Sequence, residues 1–88
     1  MPTNISITFK GGLGSVTAKL FRSGILVDKG TADKTGTIIL KDTVKDDCIS
    51  INGVSPPGGT DITISVTTDP PTTIHCNAGP ILRDFDVL

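Results

Sequence analysis

The chain has 88 residues, room for one domain over 1–88 and not for two, and eight basic against nine acidic side chains leave a formal net charge of −1. Thirteen threonines, eleven isoleucines and six valines stand against three alanines, six leucines and no glutamate or glutamine. Stiff β-branched side chains favour pleated strands, which excludes helical bundles, Rossmann folds and P-loops, while the near-neutral charge removes the basic footprint of a nucleic-acid binder.

The alternation Ile5, Ile7, Phe9 against Ser6, Thr8, Lys10 predicts a half-buried first strand ended by Gly11-Gly12. Val16, Ala18 and Leu20 alternate with Thr17, Lys19 and Phe21 in a second. Ser23-Gly24 is a compact turn, Ile25-Leu26-Val27 a short third strand, and Asp33-Lys34-Thr35-Gly36 a turn in which Gly36 takes positive φ. Residues 37–41 form a fourth strand. A polar stretch from Asp42 to Asp47 follows, with Val44 its one large apolar residue, then a fifth strand from Cys48 to Asn52. Ser55-Pro56-Pro57-Gly58-Gly59-Thr60 suits neither a helix nor a central strand and predicts a surface loop. Ile62, Ile64 and Val66 alternate with Thr63, Ser65 and Thr67, Asp69-Pro70-Pro71 breaks the strand, and residues 72–76 and 81–88 are the last two strands.

Seven or eight short strands with turn signals about every ten residues predict an all-β fold, an antiparallel Greek-key β-sandwich of the Ig-like kind, with a small closed barrel as the competitor. The core must be filled by aliphatic residues and the three phenylalanines, Phe9, Phe21 and Phe85, because tryptophan and tyrosine are absent. No apolar run approaches the roughly 18 residues that cross a bilayer, so no membrane insertion is expected. Met1-Pro2-Thr3-Asn4 carries no leader-like pattern; the chain as written reads as cytoplasmic, or as extracellular if a leader has been removed.

Several segments resemble a known family. Val16-Thr17-Ala18-Lys19-Leu20, Gly30-Thr31-Ala32-Asp33 with Gly36, Asp46-Asp47-Cys48-Ile49-Ser50-Ile51, Ala78-Gly79 and Asp84-Phe85-Asp86-Val87-Leu88 are together similar to the carboxypeptidase regulatory-like and transthyretin-like sandwich domains, over roughly residues 13–88. Cys48 stands where the family pattern has an aromatic. The resemblance implies a non-catalytic module, either an accessory or spacer domain attached to larger proteins or, on the transthyretin side, an oligomer that binds a small ligand between subunits.

Few residues carry chemistry. His75 is the single histidine and adjoins Cys76, but neighbouring strand residues point to opposite faces, so a catalytic dyad would have to draw on Cys48. One histidine and two cysteines fall short of a metal set, and no cofactor is expected. Cys48 and Cys76, 28 positions apart, are a candidate disulfide worth about 3.6 kcal/mol by loop entropy, against the alternative of two free thiols acting as small hydrophobes. The pairs Asp46-Asp47 and Asp84/Asp86 read as solvated charges. Lys10 or Lys19 with Asn77 and Asp84 would be the reactants of an isopeptide cross-link. The loops Ser55, Pro56, Pro57, Gly58, Gly59 and Asp69, Pro70, Pro71, Thr72 are the candidate partner contacts. The resulting expectation is a non-enzymatic structural or protein-binding module whose partner is another protein or further domains of an assembly. Its alternatives are a homo-oligomer binding a small ligand or metal, and a component of a phage or secretion-type assembly.

Overall fold

In the computed structural model residues 2–65, 68–69 and 73–88 are described, and they form two antiparallel sheets packed face to face. The strands are β1 (Thr3–Phe9), β2 (Ser15–Arg22), β3 (Ile25–Ala32), β4 (Gly36–Leu40), β5 (Cys48–Ser55), β6 (Thr60–Ile64), β7 (Thr68–Asp69), β8 (Thr73–Cys76) and β9 (Gly79–Val87). One sheet has the order β4-β1-β6-β8 and the other β3-β2-β5-β9-β7, where β7 contributes two residues. Two separate sheets make a sandwich and remove the barrel alternative. Apart from the β2–β3 hairpin, consecutive strands always lie in different sheets.

Strand alternation sets the core. Alternate residues of β1, β2, β4, β5, β6 and β9 face inward and most of them are buried, Arg83 of β9 being an exposed exception, and eight of the eleven isoleucines end in the core: Ile5, Ile7, Ile38, Ile49, Ile51, Ile62, Ile64 and Ile81. Phe85 is the one fully buried aromatic. Phe9 packs at the core's margin, and Phe21, expected inside, is half-buried on the outer face, because it alternates with Leu20 and only one of the two can turn inward.

The strand limits differ from the sequence reading in four places. β3 runs to Ala32 rather than ending near Val27, because Asp28 to Ala32 continue the pairing with Leu20 to Val16. One residue, Val27, is extra on the β3 side between the pairs Leu20↔Asp28 and Phe21↔Leu26, a bulge that sharpens the local twist. Ser23 and Gly24, with φ of 53° and 79°, supply the two left-handed residues of a tight hairpin between paired Arg22 and Ile25. Gly36 needs no positive φ; it opens β4 opposite Ile7. β5 extends to Ser55, and β9 begins at Gly79. Val66, Thr67, Pro70, Pro71 and Thr72 lie outside the described residues.

Two glycines permit close approaches that position the sheets. A Cβ on Gly30 of β3 would stand 2.5 Å from Ile38 Cγ2 on β4, so its absence lets Ile38 fill the edge where the two sheets meet. A Cβ on Gly53 would meet the Ser15 carbonyl oxygen at 1.9 Å, a backbone atom that cannot give way. Gly53→Ala should therefore lower stability by about 2 kcal/mol or more, a fall in melting temperature of roughly 10 °C. Gly36→Ala, whose nearest neighbour would be Lys34 O at 3.8 Å, should be neutral or slightly stabilising. Thermal unfolding of both variants checks this, and equal losses would contradict it.

Candidate functional site

At the end of the sandwich where β1 leads into β2, two glycine-rich connections interlock. Lys10 N–H donates to Gly59 O at 3.0 Å and Gly59 N–H to Pro56 O at 2.9 Å, while a Cβ on Gly58 would strike the Lys10 carbonyl. Ser55 Oγ shares a 2.7 Å hydrogen bond with Thr60 Oγ1, and Ser55, Pro56, Gly59 and Thr60 are all buried. The segment expected to be a surface contact loop is thus mostly built into the fold, with Pro57 and Gly58 its exposed residues. In the second candidate loop, the backbone of Asp69 pairs with Asp86.

Beside this end, on the outer face of β6 and β8, Asp61 Oδ1 meets His75 Nδ1 at 2.6 Å and Asp61 Oδ2 meets Lys10 Nζ at 2.7 Å. The Asp61 carboxyl is held below its ordinary range, first by the Lys10 hydrogen bond and then by that from His75. His75 and Cys76 do face opposite ways, Cys76 into the core. Cys48 is on the outer face of the other sheet, so the sandwich separates it from His75 and no Cys48–His75 dyad forms.

The candidate disulfide is not formed either. Cys48 begins β5, whereas Cys76 lies beside Ser55 at the far end of that strand, Ser55 Oγ donating to Cys76 O at 3.4 Å. Seven residues of strand, about 23 Å, separate the two ends, well beyond the roughly 7 Å limit between bridged Cα atoms. Both thiols are free, and burial, followed by Asp84 and Asp86, pushes the Cys48 thiol above its ordinary range. The isopeptide reactants are not brought together: Lys10 is engaged by Asp61, and Lys19 and Asp84 sit on the solvent face of β2 and β9.

The opposite end is closed by an ion pair that the sequence reading missed. Asp47, taken there for a solvated charge, is 1% exposed and accepts from Arg22 Nε and Nη2, both at 2.9 Å, and from Val44 N–H at 3.0 Å. Arg22 Nη2 also donates to Asp42 O at 2.6 Å. The register explains the meeting: β2 and β5 pair Phe21 with Cys48, so the next rung sets Arg22 against Asp47. Asp46, in the left-handed region at φ 73°, turns the chain so that its N–H reaches Val87 O. Thr3 and Thr43 share a buried hydroxyl contact at 2.8 Å. Nearby, Leu20, Arg22, Val27, Asp28, Lys41 and Asp42 line a cleft of about 200 Å³. Its Asp28 carboxylate already accepts from the Lys41 and Lys29 N–H groups, which hold it below its ordinary range.

The two outer faces differ in kind. On β4-β1-β6-β8 the outward residues are mostly small and polar, Thr37, Asn4, Ser6, Thr8, Thr63 and Thr73, with Ile39, 56% exposed, as an apolar exception. On β3-β2-β5-β9 the registered rows are Val54 with Pro80, then Thr31-Thr17-Asn52-Leu82, Lys29-Lys19-Ser50-Asp84, and Leu26-Phe21-Cys48-Asp86. Leu82 is 70% exposed, Val54 58% and Leu26 44%. Among the described residues no three His, Cys or acidic side chains converge to hold a metal ion, and no helix is long and apolar enough to cross a membrane. Comparisons with protein-family models, curated proteins and solved structures gave no match.

The Asp47 carboxyl lies below its ordinary value, first because of the Arg22 hydrogen bond, and so binds protons less readily folded than unfolded. Its contribution is then present above the unfolded pKa of about 3.9 and lost as pH falls through the lower folded value. Asp47→Asn should cost about 1–3 kcal/mol at pH 7 and progressively less as the pH falls below about 3.9 in urea unfolding. An equal cost at both pH values would contradict the assignment.

Proposed function

We propose that this chain is a non-enzymatic β-sandwich module, similar in outline to carboxypeptidase regulatory-like and transthyretin-like domains, that docks another protein through the outer face of β3-β2-β5-β9. The observation that carries the reading is the contrast between the two outer faces: Leu82, Val54, Phe21 and Leu26 stand on one, and threonine, serine and asparagine dominate the other. These apolar side chains form two groups, Val54 with Leu82 and Phe21 with Leu26, on either side of the row Lys29-Lys19-Ser50-Asp84, and exposed apolar groups interleaved with charge are the kind of surface through which proteins associate.

The chemistry elsewhere favours a module over an enzyme. His75 spends Nδ1 on Asp61, the Cys48 thiol is pushed away from the reactive thiolate, and Cys76 is buried. The Arg22 cleft, about 200 Å³, is below the roughly 300–1,000 Å³ of small-molecule sites. The test is site-specific photo-cross-linking in the native host, with the reactive residue at Leu82 or at Thr63 on the opposite face. Adducts at Leu82 and few at Thr63 are expected; adducts equal at both, or none at Leu82, would overturn the reading.

A further inference from the structure

Resting on that docking reading, we propose that the occupant of the face is a second copy of this chain, the two β3-β2-β5-β9 faces meeting about a two-fold axis parallel to the strands, between β2 and β5. Charge placement carries the argument. Lys19 and Lys29 are directly opposed on β2 and β3, and Asp84 and Asp86 are successive outward residues of β9, so cations occupy one side of the face and anions the other. Like charges so placed destabilise a sheet, and among the described residues none of these four side chains has an ion-pair partner within its own chain.

A half-turn about that axis lays β2 over β5 and β3 over β9 of the second copy. Lys29 then stands over Asp84 of the second copy, Lys19 lies one strand from the same carboxylate, and symmetry repeats both contacts. In the next row Phe21 covers Cys48 of the second copy, which gives the half-buried ring and thiol an apolar neighbour. Across the strands, the alternative axis would lay each strand over its own copy and leave the Lys columns together and the Asp columns together. Complementary charge of this kind fixes register and orientation more than it adds affinity.

Four strands about 4.8 Å apart and seven residues of about 3.3 Å make a face of roughly 440 Å², or about 900 Å² for the pair, at the small end of specific interfaces. The dimer is therefore weak, concentration-dependent and sensitive to salt.

Analytical ultracentrifugation of the purified chain tests this, with circular dichroism to confirm folding. The wild type should rise with concentration from 9.1 kDa toward twice that mass, and added salt should lower the dimer fraction. Asp84→Lys alone, and Lys19→Asp with Lys29→Asp, should each weaken self-association at least about tenfold. Mixed, those two variants should pair with each other, since positions 19 and 29 of each then meet a residue of opposite sign at position 84 of the other. A wild type that stays at 9.1 kDa throughout, or a mixture that fails to pair, would overturn the inference. A monomer whose Leu82 still cross-links another protein overturns the dimer and leaves the docking reading standing; a monomer without such adducts overturns both.

Discussion

The structure depends on one constraint: each strand must send alternate residues into a single core between two sheets, with β-branched aliphatic residues to fill it. A helix cannot be spared from such a composition, so both walls of the core are sheets, and most inward positions are committed to packing. Isoleucine serves because its stiff side chain fits the pleat and loses little freedom on burial. What remains for function is the other half of each strand and the connections.

Among the described residues the connections leave less free surface than expected, because a small sandwich has to be closed at its ends. At one end the glycine-rich β1–β2 and β5–β6 turns pack backbone to backbone, which only residues without a Cβ allow at Gly58. At the other, the pairing of half-exposed Arg22 with buried Asp47 and the Thr3–Thr43 contact hold the segment between β4 and β5 in place. Both sets of interactions use polar groups that a sequence reading would assign to solvent or to a partner. Among the described residues the outer sheet faces are then the larger free surfaces, and that of β3-β2-β5-β9 carries most of the exposed apolar strand residues together with Lys19, Lys29, Asp84 and Asp86.

Much of the fold was legible because period-2 alternation is a direct image of strand burial: the runs Ile5 to Phe9, Val16 to Leu20 and Ile62 to Ile64 are strands with the expected inward residues. β3 was read short, since Asp28 to Gly30 looks like a turn until pairing with β2 extends it. The burial of Asp47 is not legible in the sequence, because it depends on which residue of β2 faces it, and register is a property of two distant segments. The separation of Cys48 from Cys76, and of Cys48 from His75, likewise follows from strand length and sheet assignment, neither of which spacing along the chain encodes. The face proposed for docking is visible only when the rows Lys29-Lys19-Ser50-Asp84 and Leu26-Phe21-Cys48-Asp86 are assembled across four strands.

The central claim is that copies of the chain recognise one another through the outer face of β3-β2-β5-β9, and amide chemical shifts followed by NMR as the protein is concentrated test it most directly. The account predicts progressive shifts at Thr17, Lys19, Ser50, Asn52, Leu82 and Asp84, with Ser6, Thr8 and Thr63 on the opposite sheet unchanged. Shifts confined to that opposite sheet, or spectra independent of concentration, would contradict it.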